Sequence, residues 1–172
     1  LLTRQDPENH RETMAAAKVV AWESLRQNFR PSPVRYDALL TALGPSAHAR
    51  LKSLEHNHVV LPIIGGAMLD RIRFVLDPLA EYLAALYLIE HYRDDGDTWR
   101  DLLTLVDEHG PPEAIHGFLA ALHDCCRAEG TEFNVPEWLA PSLAKRLVRP
   151  SAAMAPAENR VLQTPQVKLA RS

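Results

Sequence analysis

Three sets of side chains could do chemistry by their type and spacing. His116, His123 and Cys126 lie on one helical pattern, and imidazole with thiolate is a zinc-like donor set. Only the step from His123 to Cys126 has the spacing of two ligands on one helix face, and no fourth donor accompanies them, so a metal is not expected. Glu55-His56-Asn57-His58 is a second polar cluster, at the end of another helical pattern, and it falls short by the same ligand count. Glu81 is the third. A carboxylate among Leu79, Ala80, Tyr82, Leu83, Ala84 and Ala85 needs a cationic or hydrogen-bonding partner. Arg71 or Arg73, just upstream, is the nearest candidate. The expected role is a structural ion pair that fixes a β-hairpin to a helix, so that Glu81→Gln should weaken this docking; no second group for acid–base work is in view. The sequence holds no G-x-x-x-x-G-K-[ST], G-x-S-x-G or H-E-x-x-H motif. Catalysis and a resident cofactor are therefore not expected of these residues.

The elements that would position these groups follow from composition and pattern. The chain has 172 residues, 47% hydrophobic and 24% charged, with a formal charge of -3. That is the make-up of one ordinary globular domain or of a domain with an appendage, not of a collagen-like or wholly disordered chain. The charge gives no overall basic footprint for nucleic acid or anionic lipid. Cys125 and Cys126 are adjacent and cannot readily bridge each other, which suits a reducing cytoplasm. The most apolar stretch, Leu79 to Ile89, is short and carries Glu81, so no membrane span is expected. The opening at Leu1, in a polar stretch, suggests a piece of a longer polypeptide.

Apolar residues at helical spacing predict a lead-in helix from Pro7 to Phe29, ending before Pro31 and Pro33. Tyr36, Leu39, Leu40 and Leu43 form the face of a second helix that stops at Gly44-Pro45, and Ser46 is expected to cap a third, running out near Asn57. The period then changes to two. Val59 to Ile64 and Arg71 to Leu76 read as a β-hairpin joined through Gly65-Gly66, with Pro62 requiring an edge strand. Two short helices followed by a hairpin is the order of a winged helix. Asp77 at the cap and Pro78 at the first helical position open a helix that is apolar nearly all round, so it should be central. Three further helical patterns follow: Trp99 to Val106, Ile115 to Leu122 and Leu139 to Leu147. The expected fold is mainly α, a winged-helix module followed by an α-helical extension. Its divisions are 1–33 as lead-in helix, 34–92 as winged-helix-like domain, 93–148 as helical extension and 149–172 as a flexible tail.

Charge is unevenly placed. Residues 94–132 hold ten acids and two bases, whereas 145–172 hold six bases and one acid; solvated surfaces account for this, and docking between tail and acidic face is the functional alternative. A winged helix also raises DNA binding, with Arg50 and Lys52 on the helix that would enter the groove and Arg71 and Arg73 in the wing. That is thin cover for phosphates, and nucleic acid is the lesser expectation. A plain helical interaction scaffold is the third class.

The stretch from Arg71 to Ala85, RIRFVLDPLAEYLAA, resembles the segment F-x-H-x-x-x-x-E-[FY]-x-A-A of NACHT-type (STAND) signal-transducing NTPases. There it closes a winged-helix domain downstream of the P-loop ATPase core, and further helices or repeats follow. The matching residues are Phe74, Glu81, Tyr82, Ala84 and Ala85. Leu76 stands where the family often has a histidine that reaches the bound diphosphate, and leucine has no donor for phosphate; Asp77-Pro78 replaces the usual polar pair. The resemblance implies a non-catalytic, cytoplasmic regulatory and oligomerisation segment. Its partners would be the upstream nucleotide-binding domain of the same chain and further copies in a homo-oligomer. ATP or ADP with Mg would be bound by the parent chain, not by this segment. The structural and interdomain residues it points to are Phe74, Leu76, Asp77, Glu81, Tyr82, Ala84 and Ala85, with Arg71 and Arg73 alongside.

Overall fold

A computed structural model describes residues 7–65, 68–108 and 112–148; Gly66, Gly110, Pro111 and the tail from 149 onward lie outside them. α1 (Pro7–Leu25) is followed by a two-residue strand, β1 (Val34–Arg35), then α2 (Tyr36–Leu43), a 3-10 turn over Gly44–Ser46 and α3 (Ala47–His56). The hairpin β2 (Val60–Gly65) and β3 (Met68–Phe74) comes next, and α4 (Asp77–Tyr92) leaves it directly. α5 (Gly96–Glu108), a 3-10 turn over Pro112–Ile115, α6 (His116–Glu129) and α7 (Leu139–Leu147) complete a mainly helical chain. The three strands are antiparallel in the order β1-β3-β2. Helix, strand, two helices and a hairpin is the winged-helix order, and the extension follows it.

Several features differ from the sequence reading, among them β3, which runs Met68–Phe74 where Arg71 to Leu76 was expected. α1 stops at Leu25 rather than Phe29 because Phe29 turns to φ 55, its N–H donating to the Leu25 carbonyl at 2.6 Å, so the chain folds back. Ser46 makes no side-chain cap; it lies in the 3-10 turn that joins α2 to α3. β1 was not expected, since two residues are too short to show a period, and only pairing of Val34 with Ile72 and Arg35 with Arg71 makes them a strand. Gly44, by contrast, ends α2 as expected, with φ 72 and its N–H on the Leu40 carbonyl. Pro62 sits on β2, an edge strand, as its missing donor requires.

One core runs through both parts. Buried residues from α1, α2, α3, the sheet, α4, α5, α6 and α7 form a single hydrophobic cluster. α4 is its axis, packed along α1 on one side and α6 on another. Ala80, Ala84 and Ala85 are fully buried; such small side chains let both neighbours come close, and a helix apolar on several faces has nowhere else to sit. Phe29, at the end of the α1 segment, stacks on Phe118 of α6 with ring centroids 5.4 Å apart. Lys18 of α1 pairs with Glu90 of α4. In the extension, Trp99 is buried and donates its indole N–H to the Arg93 carbonyl at 2.8 Å, so the turn between α4 and α5 is tied down. Arg146 of α7 makes a two-pronged contact with Asp107 of α5, at 2.8 and 2.6 Å, the geometry for which a planar guanidinium is suited.

Candidate functional site

The residues singled out from the Arg71–Ala85 stretch fall into three environments. Ile72 and Phe74 point into the core, while Arg71 and Arg73 alternate to the open face of β3. Leu76 does not continue that alternation. As the next apolar position of the strand expected from Arg71 to Leu76 it would face inward with Phe74, yet it is 60% exposed, against 4% for Phe74. The reason is local: ladder pairing ends at Phe74, Val75 donates its N–H to the Val59 carbonyl, and residue 76 becomes the extended cap of α4 at φ -126, ψ 119. The cap is therefore Leu76 and not Asp77, one residue earlier than the Asp-Pro signal suggested. Leu76 and Asp77 stand on the rim of a cavity of about 430 Å³, lined also by Ser24, Pro31, Pro33 and Arg73. Thus the position where the resemblance places a phosphate-reaching histidine does open on a cavity, but presents an apolar side chain there.

Glu81 requires a correction. Neither Arg71 nor Arg73 reaches it: Arg71 has Asp70 as its nearest carboxylate, at 3.8 Å, and among the described residues no ion pair joins Glu81 to either arginine. Glu81 is instead turned toward α6, its carboxylate lying over Gly117, where any Cβ would collide with it. The helix axis decides this. Leu79 and Leu83 share the face of α4 toward α1, and Glu81 projects from another face, toward the first turn of α6. Burial pushes its carboxyl above the usual carboxylate range, Asp77 adds to the rise, and His116 opposes it. Tyr82, its neighbour, is 43% exposed. Ala84 and Ala85 serve the packing already described.

On α3, Arg50 is half-buried, with Nη1 donating to the Leu43 carbonyl at 3.1 Å and Nε buried without a hydrogen-bond partner among the described residues. It therefore serves the end of α2, where carbonyls lack intrahelical partners. Lys52 remains exposed. His48 is engaged with the Tyr36 hydroxyl at 2.9 Å. The helix that would enter a DNA groove thus retains one of its two proposed basic contacts.

His116, His123 and Cys126 are not drawn together, and among the described residues no group of three His, Cys, Asp or Glu side chains is placed to hold a metal ion. His116 is exposed, His123 lies 3.2 Å from Asp124, and Cys126 is buried. Both thiols are free, and burial pushes Cys125 and Cys126 up to about 12, far from the range in which a thiolate attacks at neutral pH.

One feature of the surface had no signal in the sequence. With β1 in place, Arg35 lies directly opposite Arg71 on the outer face of the sheet, and a cleft of about 230 Å³ beside them is lined by Glu23, Arg26 and Ser32 as well. Only the strand pairing brings residues 35 and 71 together.

Fold and surface together define a winged-helix module built continuously into a helical extension, with its exposed apolar rim at the entry to α4. Residues 107–148, the end of α5 through α7, match the family model described as NACHT C-terminal Helical domain 4. No curated protein and no solved structure matches the chain. The match lies downstream of the Arg71–Ala85 stretch and does not overlap it, so two separate parts of the sequence point to the same class of proteins. Among the described residues no helix is long and apolar enough to cross a membrane.

Proposed function

We propose that this chain is a non-catalytic regulatory and oligomerisation segment of a cytoplasmic NACHT-type signal-transducing NTPase, relaying the nucleotide state of an upstream P-loop core through interdomain contact. The observation that carries the reading is continuity. α6, inside the stretch that matches the NACHT C-terminal helical domain, packs along α4, the helix that carries the family-like segment. A relay of this kind needs a body that moves as a unit, and a single core running from α1 to α7 supplies one. The contact surface would be the rim at Val75, Leu76 and Asp77 with its cavity. Leu76 offers no hydrogen bond to a phosphate, so nucleotide state would be felt there through the packing of the neighbouring domain rather than by direct coordination.

The reading frame upstream of Leu1 should encode a P-loop. In the parent protein, amide exchange at Val75 to Leu79 should be slower with ADP bound than with a non-hydrolysable ATP analogue. Absence of a P-loop, or exchange at the rim that is indifferent to nucleotide, would remove the proposal. The DNA-binding alternative is left with Lys52, Arg71 and Arg73, because Arg50 donates within the module.

A further inference from the structure

We propose that the cleft beside the β1–β3 pair is a binding site for a phosphate oxyanion, held between Arg35 and Arg71 with Arg26 at its side. The inference is independent of the NACHT reading. Arg35 and Arg71 are direct partners in an antiparallel ladder and both are exposed, so their Cβ atoms lie about 5 Å apart. Both line a cleft of about 230 Å³ whose wall also carries Glu23, Arg26, Gln27 and Ser32.

The carboxylates nearby leave donors unused. Asp37 takes Nε and Nη2 of Arg35, at 3.0 and 2.7 Å, so the remaining N–H groups of that guanidinium are free of it. Glu23 takes Nε of Arg26 at 2.9 Å. Arg71 is the least satisfied: its nearest carboxylate oxygen, on Asp70, is 3.8 Å away, and among the described residues its guanidinium makes no hydrogen bond. Arg35 keeps the N–H groups that Asp37 leaves and Arg71 keeps its whole fork, so the two paired arginines can each offer donors to a tetrahedral oxyanion. A carboxylate has two oxygens in one plane and serves one fork; a phosphate has oxygens enough for both. The cleft is small, so it reads the phosphate group and not a whole nucleoside.

The test uses the 172-residue chain, titrated calorimetrically with inorganic diphosphate at low salt. One saturable site is expected, weakened about tenfold or more in the Arg35→Gln, Arg71→Gln double variant, since a lost charge-assisted fork is of that order. Binding should be unchanged in Arg100→Gln, whose guanidinium lies on α5. Circular dichroism checks the fold, and if the double variant does not hold it, Arg71→Gln alone should weaken binding about threefold or more. ADP is titrated in parallel. Equal affinity for ADP and diphosphate supports a site that reads phosphate alone; tighter ADP binding, lost in the same variant, shows that the nucleoside is read as well and overturns that limit. No saturable binding, or affinity unchanged by loss of these arginines, overturns the proposal.

Discussion

Truncating Phe118 tests the central structural claim, that winged helix and extension unfold as one body. The ring is fully buried and stacked on Phe29 at 5.4 Å with planes 20° apart. Phe118→Ala should cost about 3–5 kcal/mol through lost transfer energy and the cavity left behind. A further effect falls on Phe29. It holds φ 55, a conformation that costs a bulky residue about 1–3 kcal/mol and persists only while its surroundings hold it. Against a typical domain stability of about 5–15 kcal/mol the loss is a large fraction. With a urea slope of about 2 kcal/mol/M it should lower the midpoint by about 2 M. Helix content and the fluorescence of variants retaining only Trp22 on α1, or only Trp138 ahead of α7, should report one shared transition in both backgrounds. The milder Phe118→Leu should shift the same transition by a smaller amount, about 1–2 kcal/mol, part of it the aromatic pair. If Phe118→Ala instead melts the Trp138 signal early and leaves the Trp22 transition where it was, the common core is not what holds the extension to the module.

Glu81 should set a pH dependence with a definite sign. Its folded carboxyl binds a proton more tightly than the unfolded one, so stability should fall as pH rises from the ordinary glutamate range through the raised folded value, and level off above it. Relative to the natural chain, Glu81→Gln should therefore gain in melting temperature between acid and neutral pH; a loss at neutral pH would restore the ion pair expected from sequence. Cys125 and Cys126, buried with thiols pushed up to about 12, should resist a thiol-specific disulfide reagent at pH 7.5 in the folded chain and both react in urea; fast labelling of the native chain would contradict that environment. Arg146→Lys should lose the fork on Asp107 while keeping the charge. Because Asp107 is half-exposed, the cost should be modest, about 0.5–1 kcal/mol. A double-mutant cycle with Asp107→Asn checks it, and zero coupling would show that the pair is only a surface contact.

What the chain alone determined is what recurs at short range. The period of 3.6 at Tyr36–Leu43 and Trp99–Val106, the change to a period of two at Val59 and Arg71, and the stop at Gly44 located most of the elements, because burying one face of a helix or strand forces that spacing on the sequence. The centrality of α4 was legible for the same reason: a helix with alanine and leucine on every side cannot lie at the surface. The direction of particular side chains was not. Glu81 lies four residues from its helix start and eight from Arg73, and proximity in sequence suggested a partner; the rotation of α4 against α6 set it over Gly117 instead. Leu76 looked like the next inward residue of a strand and became an exposed helix cap once the ladder ended at Phe74. Arg50 looked free and proved to serve the end of α2. Arg35 and Arg71, far apart along the chain, meet only because a two-residue strand pairs with β3. Periodicity reports which face of an element is buried, but which neighbour buries it, and at what rotation, is settled by the packing of elements distant in sequence.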